Sequence, residues 1–488
     1  MPVLALGNVP AYQAGRQGAG RWCIRHGEDV LNWEELDEFS TRRAHALYLE
    51  GVRKDDLVAI AVPNGNALHE LVFAVWKLGA TPAVVPGHLP AAELSAIIDL
   101  AQPRAVIAQG EAAQGCIRAL PADFGRDHGN VRRIEVEVAR YWKAMTSGGS
   151  TGRPKLIVAQ QPAQMDTSVS SLRLPEDSVI LNPGPSYHNM PFAMSHMALL
   201  RGNSLVGMVK FDPLESLRLM ARYRVAWVNF VPTMMRRIWA LPTDERNAHD
   251  LSSLQTIWHT AAPMPDWLKR AWIEWLGPER IFECYGGTEG IGITALNGDE
   301  WLAHPGSVGR PLGCDVRVLD ANGQENPPNT VGEIYFFSAD PAQGDIFHYV
   351  GADARRGPNG SISLGDQGYV DSEGFLYIEG RRADLILSGG ANIYPAEIEN
   401  ILSACPGVAA VLVIGLPDED LGERVHAIVE LLDPSNPPAE SDLRAAVQSQ
   451  LARNKCPRSY EFVTIPLRDA AGKVRRSQLR DQRIAVIV

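Results

Sequence analysis

The first 140 residues alternate helix-like and strand-like segments, and this alternation restricts the fold more than any other feature of the sequence. An amphipathic helix is expected over Trp33–Glu50, followed by a buried apolar strand over Asp56–Val62. The cycle returns with a helix over His69–Leu78 and a strand over Thr81–Pro86. Strands that alternate with helical crossovers predict a parallel sheet covered by helices.

The same rhythm returns between residues 160 and 300, with strands expected near Ser178–Asn182, Ala226–Phe230 and Thr256–Thr260. From 305 to 380 short apolar runs lie between Gly, Pro, Asn and Asp turns, which predicts a small barrel or distorted sheet. A compact α/β pattern follows Gly380. The sequence therefore predicts an α/β protein. A large N-terminal domain, residues 1–382, holds two α/β subdomains and a small β-rich subdomain, and a small α+β C-terminal domain covers residues 383–488.

The charge balance and the cysteine pattern restrict partners and compartment. The chain has 46 basic and 57 acidic residues, a net charge of −11, which argues against nucleic acid or an anionic membrane as partner. No apolar run approaches the roughly 18–20 residues of a membrane span, and no secretory signal is evident at the N-terminus. Six scattered cysteines without a CxxC motif predict reduced thiols. We therefore expect a cytoplasmic protein.

A glycine-rich segment, Thr146 to Lys155, is the strongest local signal for chemistry. Hydroxyl side chains alternate with glycines, so hydroxyls and backbone N–H groups can converge on phosphate oxygens, and a lysine adds positive charge. The segment does not fit the GxxxxGK[ST] pattern. The predicted phosphate-binding residues are Thr146, Ser147, Gly148, Gly149, Ser150, Thr151, Gly152 and Lys155.

Four further motifs follow the glycine-rich segment in a fixed order. They are Tyr285-Gly-Gly-Thr-Glu289, Gly365-Asp366-Gln-Gly-Tyr-Val-Asp371, the run from Gly380 to Glu399 (GRRADLILSGGANIYPAEIE), and Gly472-Lys-Val-Arg-Arg476. Together these motifs resemble those of the adenylate-forming superfamily, which includes acyl- and aryl-CoA synthetases, peptide-synthetase adenylation domains and beetle luciferases. The resemblance runs from about Trp22 to Leu479.

The resemblance implies that a carboxylic acid and ATP form an acyl-adenylate with Mg²⁺, and that coenzyme A then displaces AMP. By this resemblance Lys473 bridges the substrate carboxylate and the α-phosphate, and Thr288 donates its hydroxyl to that phosphate. Glu289 would hold the Mg²⁺ ion, and His188 would act as a gate beside the acyl pocket. These four are the predicted catalytic residues.

The resemblance also assigns nucleotide, CoA and acyl contacts. The predicted AMP-binding residues are Ala261, Ala262, Pro263, Glu283, Cys284, Tyr285, Gly286, Gly287, Asp366 and Arg381, of which Asp366 would accept the ribose hydroxyls. The predicted CoA-binding residues are Ser388, Gly389 and Gly390, and the predicted acyl-pocket walls are His188, Phe230 and Trp258. The C-terminal domain is expected to be mobile, rotating between the two half-reactions. Ala383 stands where the family most often has a hinge Asp or Lys.

The pattern PxYHNxPF together with SGGANIYPAEIE is most similar to bile-acid and steroid-acid CoA ligases, and to the diterpenoid-acid ligase of platensimycin-type biosynthesis. A bulky polycyclic acid is therefore expected, with Ala193, Met194 and Met234 in a roomy pocket. Four alternatives stay open: loading of a carrier protein, thiolation of an adenylate made elsewhere, non-catalytic nucleotide binding, and a luciferase-type oxygenase. Whether the chain forms a homodimer is open as well.

Overall fold

A computed structural model describes most of the chain. The described residues are 3–87, 89, 91–110, 119–147, 155–168, 171–340, 344–381, 384–388, 391–469 and 472–487, with the backbone alone at Ser147, Asn392, Val486 and Ile487. The predicted domain boundary at 382 and the hinge position Ala383 lie outside these residues. Strand and helix numbers below follow the order along the chain.

The first α/β subdomain is built on a mainly parallel sheet with the strand order β20-β9-β8-β5-β4-β6-β7. Its strands are β4 (Leu57–Ala61), β5 (Thr81–Val84), β6 (Ala105–Ala108), β7 (Ala119–Leu120), β8 (Ala144–Ser147), β9 (Lys155–Ala159) and β20 (Phe347–Val350). Its helices are α2 (Trp33–Leu49), α3 (Asn66–Lys77) and α4 (Ala91–Ala101). Near the N-terminus lie β1 (Val3–Ala5), which pairs with β10 (Gln164–Asp166), and α1 (Val9–Gln17).

The second α/β subdomain holds a parallel run with the order β15-β14-β13-β11-β12-β2, extended by the antiparallel β3. Its strands are β2 (Trp22–His26), β3 (Asp29–Asn32), β11 (Val179–Asn182), β12 (Ser204–Gly207), β13 (Trp227–Phe230), β14 (Thr256–His259) and β15 (Ile281–Gly286). Its helices are α5 (Asn189–Leu200), α6 (Pro213–Arg222), α7 (Pro232–Trp239), α8 (Thr243–Asn247) and α9 (Asp266–Leu276).

The β-rich region continues this second sheet rather than closing into a barrel, because β16 pairs antiparallel with β15 and carries the ladder onward. Its elements are β16 (Ile293–Asn297), α10 (Gly298–Ala303), β17 (Ser307–Leu312), β18 (Cys314–Leu319), β19 (Gly332–Ser338), β21 (Arg355–Arg356), β22 (Ile362–Val370) and β23 (Leu376–Arg381). Of the two structures expected for this region, a small barrel or a distorted sheet, the structure therefore shows the sheet.

The C-terminal region forms its own sheet with the order β25-β24-β27-β26, and β28 pairs parallel with β27. Its elements are β24 (Ile386–Ser388), β25 (Ala391–Ile393), α11 (Pro395–Ser403), β26 (Val408–Asp418), β27 (Gly422–Leu431), α12 (Glu440–Gln448), β28 (Ser459–Val463) and α13 (Arg476–Ile487). The α/β fold class predicted from the sequence is confirmed, while the mobility of this region stays a prediction.

Helix boundaries follow local signals in some places and tertiary needs in others. Helix α2 begins at Trp33 because Asn32 and Glu35 form a reciprocal capping box. Helix α12 ends at Gln448, and the chain then turns back so that Ser459 of β28 lies beside His426 of β27. Among the described residues, no helix is both long enough and apolar enough to cross a membrane.

Helix α3 lies between the two large sheets and contacts strands of both. Its side chains and those of α5 join a common apolar core in which Trp33, Trp76 and Phe192 are almost fully buried. A separate core lies on the other face of the second sheet, around Phe230 and Trp272. This shared core fixes the position of one sheet relative to the other, so that both can contribute to one site.

Three buried histidines lie within the core between the sheets. Nδ1 of His69 donates to Nε2 of His196 over 3.3 Å, and His196 itself donates from Nδ1 to the carbonyl of Phe192 at 2.8 Å. His26 contacts Asn66 through Nδ1 at 2.9 Å. Burial lowers the pKa of all three, that of His196 to about 4. These contacts accommodate neutral imidazoles.

Stability should therefore fall on mild acidification. The pKa of His196 is lower in the folded than in the unfolded chain, so the unfolded chain takes up the proton first as the pH falls below about 6.5. Between that pH and 4 this residue alone costs about 3 kcal/mol of unfolding free energy. Denaturant unfolding measured from pH 7 to 4.5 should show the loss.

His196→Gln keeps a donor and an acceptor but removes the titration, so its unfolding free energy should depend less steeply on pH. His249→Gln, at a partly exposed position outside this core, is the matched control and should retain the wild-type slope. Equal slopes for the wild type and both variants would contradict the assignment.

Candidate active site

The site predicted from the sequence lies along the carboxyl edge of the parallel strands, where loops leave β8, β13, β14 and β15. Such an edge is the usual position of ligand sites in open α/β sheets. Segment 260–263 follows β14, and Thr288 and Glu289 follow β15. The edge also meets β22 and β23, so the two α/β subdomains and the β-rich region all contribute to one site.

The glycine-rich segment is closed by an antiparallel pair of strands. Thr146 lies opposite Leu156, and Ser147 lies opposite Lys155, in the β8–β9 register. Gly148, Gly149, Ser150, Thr151 and Gly152 lie outside the described residues. The strands thus hold both ends of the segment at the carboxyl edge.

Glu289 sits at the tip of the turn after β15 and is 9 % exposed. The hydroxyl of Tyr349 donates to its Oε1 at 2.5 Å, and Nζ of Lys155 lies 3.8 Å from the centre of the Tyr349 ring. A Cβ at Gly287 would come within 2.3 Å of Glu289 Oε2, so this position requires glycine if the carboxylate keeps its place. Burial lowers the pKa of Lys155, and the charge of Glu289 opposes that shift.

Asp366 is held by two partners across neighbouring strands. The hydroxyl of Tyr285 donates to its Oδ2 at 2.6 Å, and Nε of Arg381 donates to its Oδ1 at 3.2 Å. The second contact follows from the β22–β23 register, in which Asp366 lies opposite Arg381. Burial and the nearby carboxylate raise the pKa of Tyr285, so its hydroxyl remains a donor. Tyr285, Asp366 and Arg381 are thus brought together, as the motifs predicted.

The side chains of Glu283 and Cys284 are buried inside the protein. The carboxylate of Glu283 pairs with the buried ammonium of Lys269 on α9 and lies 3.7 Å from Nε2 of His259. Cys284 is buried in the core between the sheets, and burial raises the pKa of its thiol to about 12. Both side chains are buried, so we expect these two residues to contact a nucleotide through their backbone.

Ala261, Ala262 and Pro263 follow β14 and are exposed or half-exposed at the edge. Ala261 has a φ of +75°, a left-handed conformation that a side chain disfavours. Strain of this kind persists where the surroundings fix the backbone, and it is concentrated at functional sites. The segment expected to border adenine is therefore held in a strained conformation.

The residues expected around the acyl group differ in their surroundings and in their burial. His188 directly precedes α5, and its ring lies 4.5 Å from that of Tyr187. Phe230 has no exposed surface and its ring lies 5.9 Å from that of Trp272 in the core, so its role as a pocket wall stays a prediction. Trp258 is 3 % exposed, packs against Phe282, and donates from its indole to the carbonyl of Leu172 at 2.8 Å.

The loop that carries Lys473 reaches the N-terminal domain. A Cβ at Gly472, where φ is +76°, would lie 3.6 Å from Cβ of Val231 just after β13. Asp469 Oδ1 accepts from the backbone N–H of Lys473 at 2.9 Å. Desolvation lowers the pKa of Lys473 although much of the side chain stays accessible, and the charges of Arg381 and Glu289 also act on it. The loop therefore places Lys473 over the site.

Ser388 ends β24 and lies opposite Ala391 in the β24–β25 hairpin and opposite Gly422 of β27. Gly389 and Gly390 lie outside the described residues. Sequence reasoning missed Tyr349, because its position beside Glu289 depends on β20 crossing to pair with β9, a pairing between residues far apart in sequence. It also missed Lys143, a buried lysine at the start of β8.

Comparison with known families and proteins agrees with this arrangement. Residues 11–344 match the family described as "AMP-binding enzyme", and residues 397–473 match "AMP-binding enzyme C-terminal domain". A feruloyl-CoA synthase from Amycolatopsis is 31 % identical, with 97 % of this chain and 98 % of that protein covered. The fatty acid–acyl-carrier-protein ligase ScoC of Streptomyces coeruleorubidus is 30 % identical, with 93 % and 92 % covered.

Solved structures are similar over nearly the whole chain. The o-succinylbenzoate-CoA synthetase MenE of Bacillus subtilis, bound to its acyl-adenylate, superimposes with a TM-score of 0.84 at 25 % identity, covering 99 % of both chains. ATP-bound MatB from Rhodopseudomonas palustris has a TM-score of 0.82 at 26 % identity, covering 99 % of this chain and all of the other.

The strained backbone of Ala261 can be tested by its effect on the stability of the protein. Ala261→Gly removes the unfavourable contact of a Cβ in the left-handed region and should raise the unfolding free energy by about 1 kcal/mol. Ala262→Gly, at the next position with no positive φ, should lower it by about 0.5–1 kcal/mol through greater freedom of the unfolded chain. Equal destabilisation by both changes, in denaturant titration, would contradict the strain.

Proposed function

The chain is a member of the AMP-binding enzyme family, and from that premise we propose that it performs both half-reactions of an acyl-CoA ligase. It is an ATP-dependent, AMP-forming acid–thiol ligase that uses ATP, Mg²⁺ and coenzyme A. The observation that supports the first half-reaction in this chain is the position of Lys473. Its loop lies beside Val231, and the charges of Asp469, Arg381 and Glu289 act on its ammonium group.

In the first half-reaction a carboxylate oxygen of the acid forms a bond to the α-phosphorus of ATP. The bond from that phosphorus to the bridging oxygen breaks, and pyrophosphate leaves. Both reactants are anions, so a cation placed where negative charge develops lowers the barrier. Lys473 supplies this cation, and the backbone contact with Asp469 positions its loop.

The nucleotide is held by the groups that converge at the edge of the sheet. Asp366 accepts the ribose hydroxyls, Arg381 orients Asp366, and Thr288 donates its hydroxyl to the α-phosphate. The ring of Tyr285 lies against adenine beside residues 261–263. Glu289 is the residue that would hold a Mg²⁺ ion, since its carboxylate oxygens suit this hard cation. Bound Mg²⁺ neutralises phosphate charge.

In the second half-reaction a thiol loses its proton, its sulfur bonds to the acyl carbon, and AMP leaves with the former carboxylate oxygen. We propose that the C-terminal domain, residues 383–488, rotates to bring Ser388, Gly389 and Gly390 to the site. Among the described residues, its contacts with the N-terminal domain include Arg475 with Glu93 at 3.3 Å and Arg236 with the carbonyl of Val408. The pair of Arg475 and Glu93 is exposed, and exposed ion pairs contribute little stability, so its loss on rotation would cost little.

The acid is proposed to be bulky and polycyclic, as the similarity of segments 185–192 and 388–399 to steroid-acid ligases suggests. Helix α5 follows the gate residue His188 and carries Met190, Ala193 and Met194, which pack in or against the core between the sheets. Methionine side chains adapt to ligands of irregular shape. We place the enzyme in a reducing cytoplasm because Cys23, Cys284, Cys314, Cys405 and Cys456 are free thiols.

A carrier protein is the second candidate acceptor, since the 30 % identical ScoC is named as a ligase for acyl-carrier protein. The two acceptors differ in one measurement. Mass spectrometry of reactions with free CoA and with a phosphopantetheinylated carrier protein should detect the CoA thioester. A thioester found only on the carrier protein would show that the acceptor is the carrier protein and not free CoA.

Lys473→Ala should separate the half-reactions. Loss of one stabilising charge typically costs about 10²–10³ in rate, so acid-dependent pyrophosphate release should fall by about that factor. Conversion of a supplied acyl-adenylate to acyl-CoA should remain near the wild-type rate, because Lys473 does not act in that step. Stopped assays of pyrophosphate and of acyl-CoA measure the two steps independently.

The matched control is Lys210→Ala, at an exposed lysine outside the site, which should change neither rate. Equal loss of both half-reactions in Lys473→Ala would contradict the separate role of this residue. No pyrophosphate from the wild type with any acid, together with thioester formation from supplied adenylates, would indicate a thiolation-only enzyme.

A panel of steroid, terpenoid, aryl and fatty acids tests the substrate class. Pyrophosphate release should show the highest kcat/KM for a polycyclic acid, with smaller aryl acids slower because they leave part of the pocket unfilled. A preference for aryl or linear acids would instead align the chain with feruloyl-CoA synthase or with fatty-acid ligases.

A further inference from the structure

Lys143 is buried beside the site without a carboxylate partner. It directly precedes β8, the strand that leads into the glycine-rich segment, and it is 5 % exposed. Its ammonium donates to Oδ1 of Asn189 and lies 4.5 Å from the centre of the Trp142 ring. Among the residues that the structure describes, no carboxylate lies within ion-pair distance of it.

The other two buried lysines of the described residues each pair with a carboxylate. Lys77, 5 % exposed, pairs with Asp37 at 2.5 Å, and Lys269, 1 % exposed, pairs with Glu283. Burial of a charge is costly unless an opposite charge or hydrogen bonds compensate it. Lys143 has one amide oxygen and an aromatic face instead. Burial lowers its pKa to about 7, and only the more distant charge of Glu289 opposes this shift.

The position of Lys143 favours the acyl side of the site over the phosphate side. Asn189, its hydrogen-bond partner, is the first residue of α5 and directly follows the gate residue His188. The lysine at the far end of the glycine-rich segment, Lys155, instead faces Tyr349 and Glu289. The carboxylate that reacts is met by Lys473 from the C-terminal loop. The ammonium of Lys143, which donates only to Asn189 among the described residues and has no carboxylate within ion-pair distance there, can therefore take a further anion or acceptor.

We propose that Lys143 is a specificity-determining residue that binds an acceptor oxygen of the acid other than the carboxylate that reacts. The preferred substrates are then acids that bear a second carboxylate, keto or hydroxyl oxygen on their hydrocarbon frame. This inference rests on the proposed function, since it assigns the acid to the pocket at His188. The pocket would then select acids by a second polar group as well as by their size.

The test measures acid binding without turnover. Calorimetry with Mg²⁺ and a non-hydrolysable ATP analogue compares three matched pairs: decanoate with decanedioate, cinnamate with para-carboxycinnamate, and cholanate with dehydrocholate. The wild type should bind the oxygen-rich member of at least one pair more tightly. Lys143→Met should weaken that member by about 10- to 100-fold, the usual worth of a charged hydrogen bond, and leave the plain member within about twofold.

Two further variants keep the result interpretable. Asn189→Ala removes the amide partner but keeps the ammonium, so the preference for the oxygen-rich acid should remain. Lys210→Met, at an exposed lysine, should change no affinity. Thermal unfolding of each variant checks that the fold is retained, and Lys143→Met should fold well because it replaces a buried charge with an apolar side chain of similar length.

Equal weakening of both members of a pair in Lys143→Met would overturn the proposal, because it would place the lysine on the reacting carboxylate or on the fold itself. A wild type without preference, or a variant with an unchanged one, would overturn it too. Failure of the proposed function has a different signature, since the wild type would then release no pyrophosphate with any acid it binds.

Discussion

The pairing of β15 is the constraint on which the site depends. This strand pairs in parallel with β14 on one side and antiparallel with β16 on the other, so it joins the second α/β subdomain to the β-rich region. The chain leaves β15 at the carboxyl edge and turns at once through Gly287 to Glu289. The antiparallel strands beyond β16 then bring Asp366 to the hydroxyl of Tyr285. One change of strand direction thus creates the nucleotide side of the site.

The candidate site is built on paired strands, but the cation that we propose to be catalytic comes from a loop. Tyr285, Asp366 and Arg381 hold one another across strands that backbone hydrogen bonds keep in register. Lys473 stands on a loop anchored by Asp469 in the C-terminal region and contacts the N-terminal domain near Val231. This difference suits the proposed two-step reaction, in which Lys473 would assist the first step and leave before the second.

The sequence predicted the fold class and most of the elements, because apolar periodicity reports directly on burial. Strands β4, β5 and β14 lie within the segments expected for them. Sequence patterns cannot place Phe230, since an aromatic residue at a strand end has the same local signature in a core as in a pocket wall, and the structure buries it against Trp272. It also missed Tyr349 and Lys143, which stand outside every motif and reach the site through long-range pairing and packing.

The sequence by itself determined the chemistry that the chain can hold, because each motif places several donors, acceptors or charges within a few residues. It determined equally where helices and strands form. Only the tertiary structure decided which charges are neutralised: Glu283 by Lys269, Asp366 by Arg381, and Lys143 by no carboxylate among the described residues. The physical reason is that desolvation and Coulomb interaction depend on distances between residues remote in sequence, and only packing sets those distances.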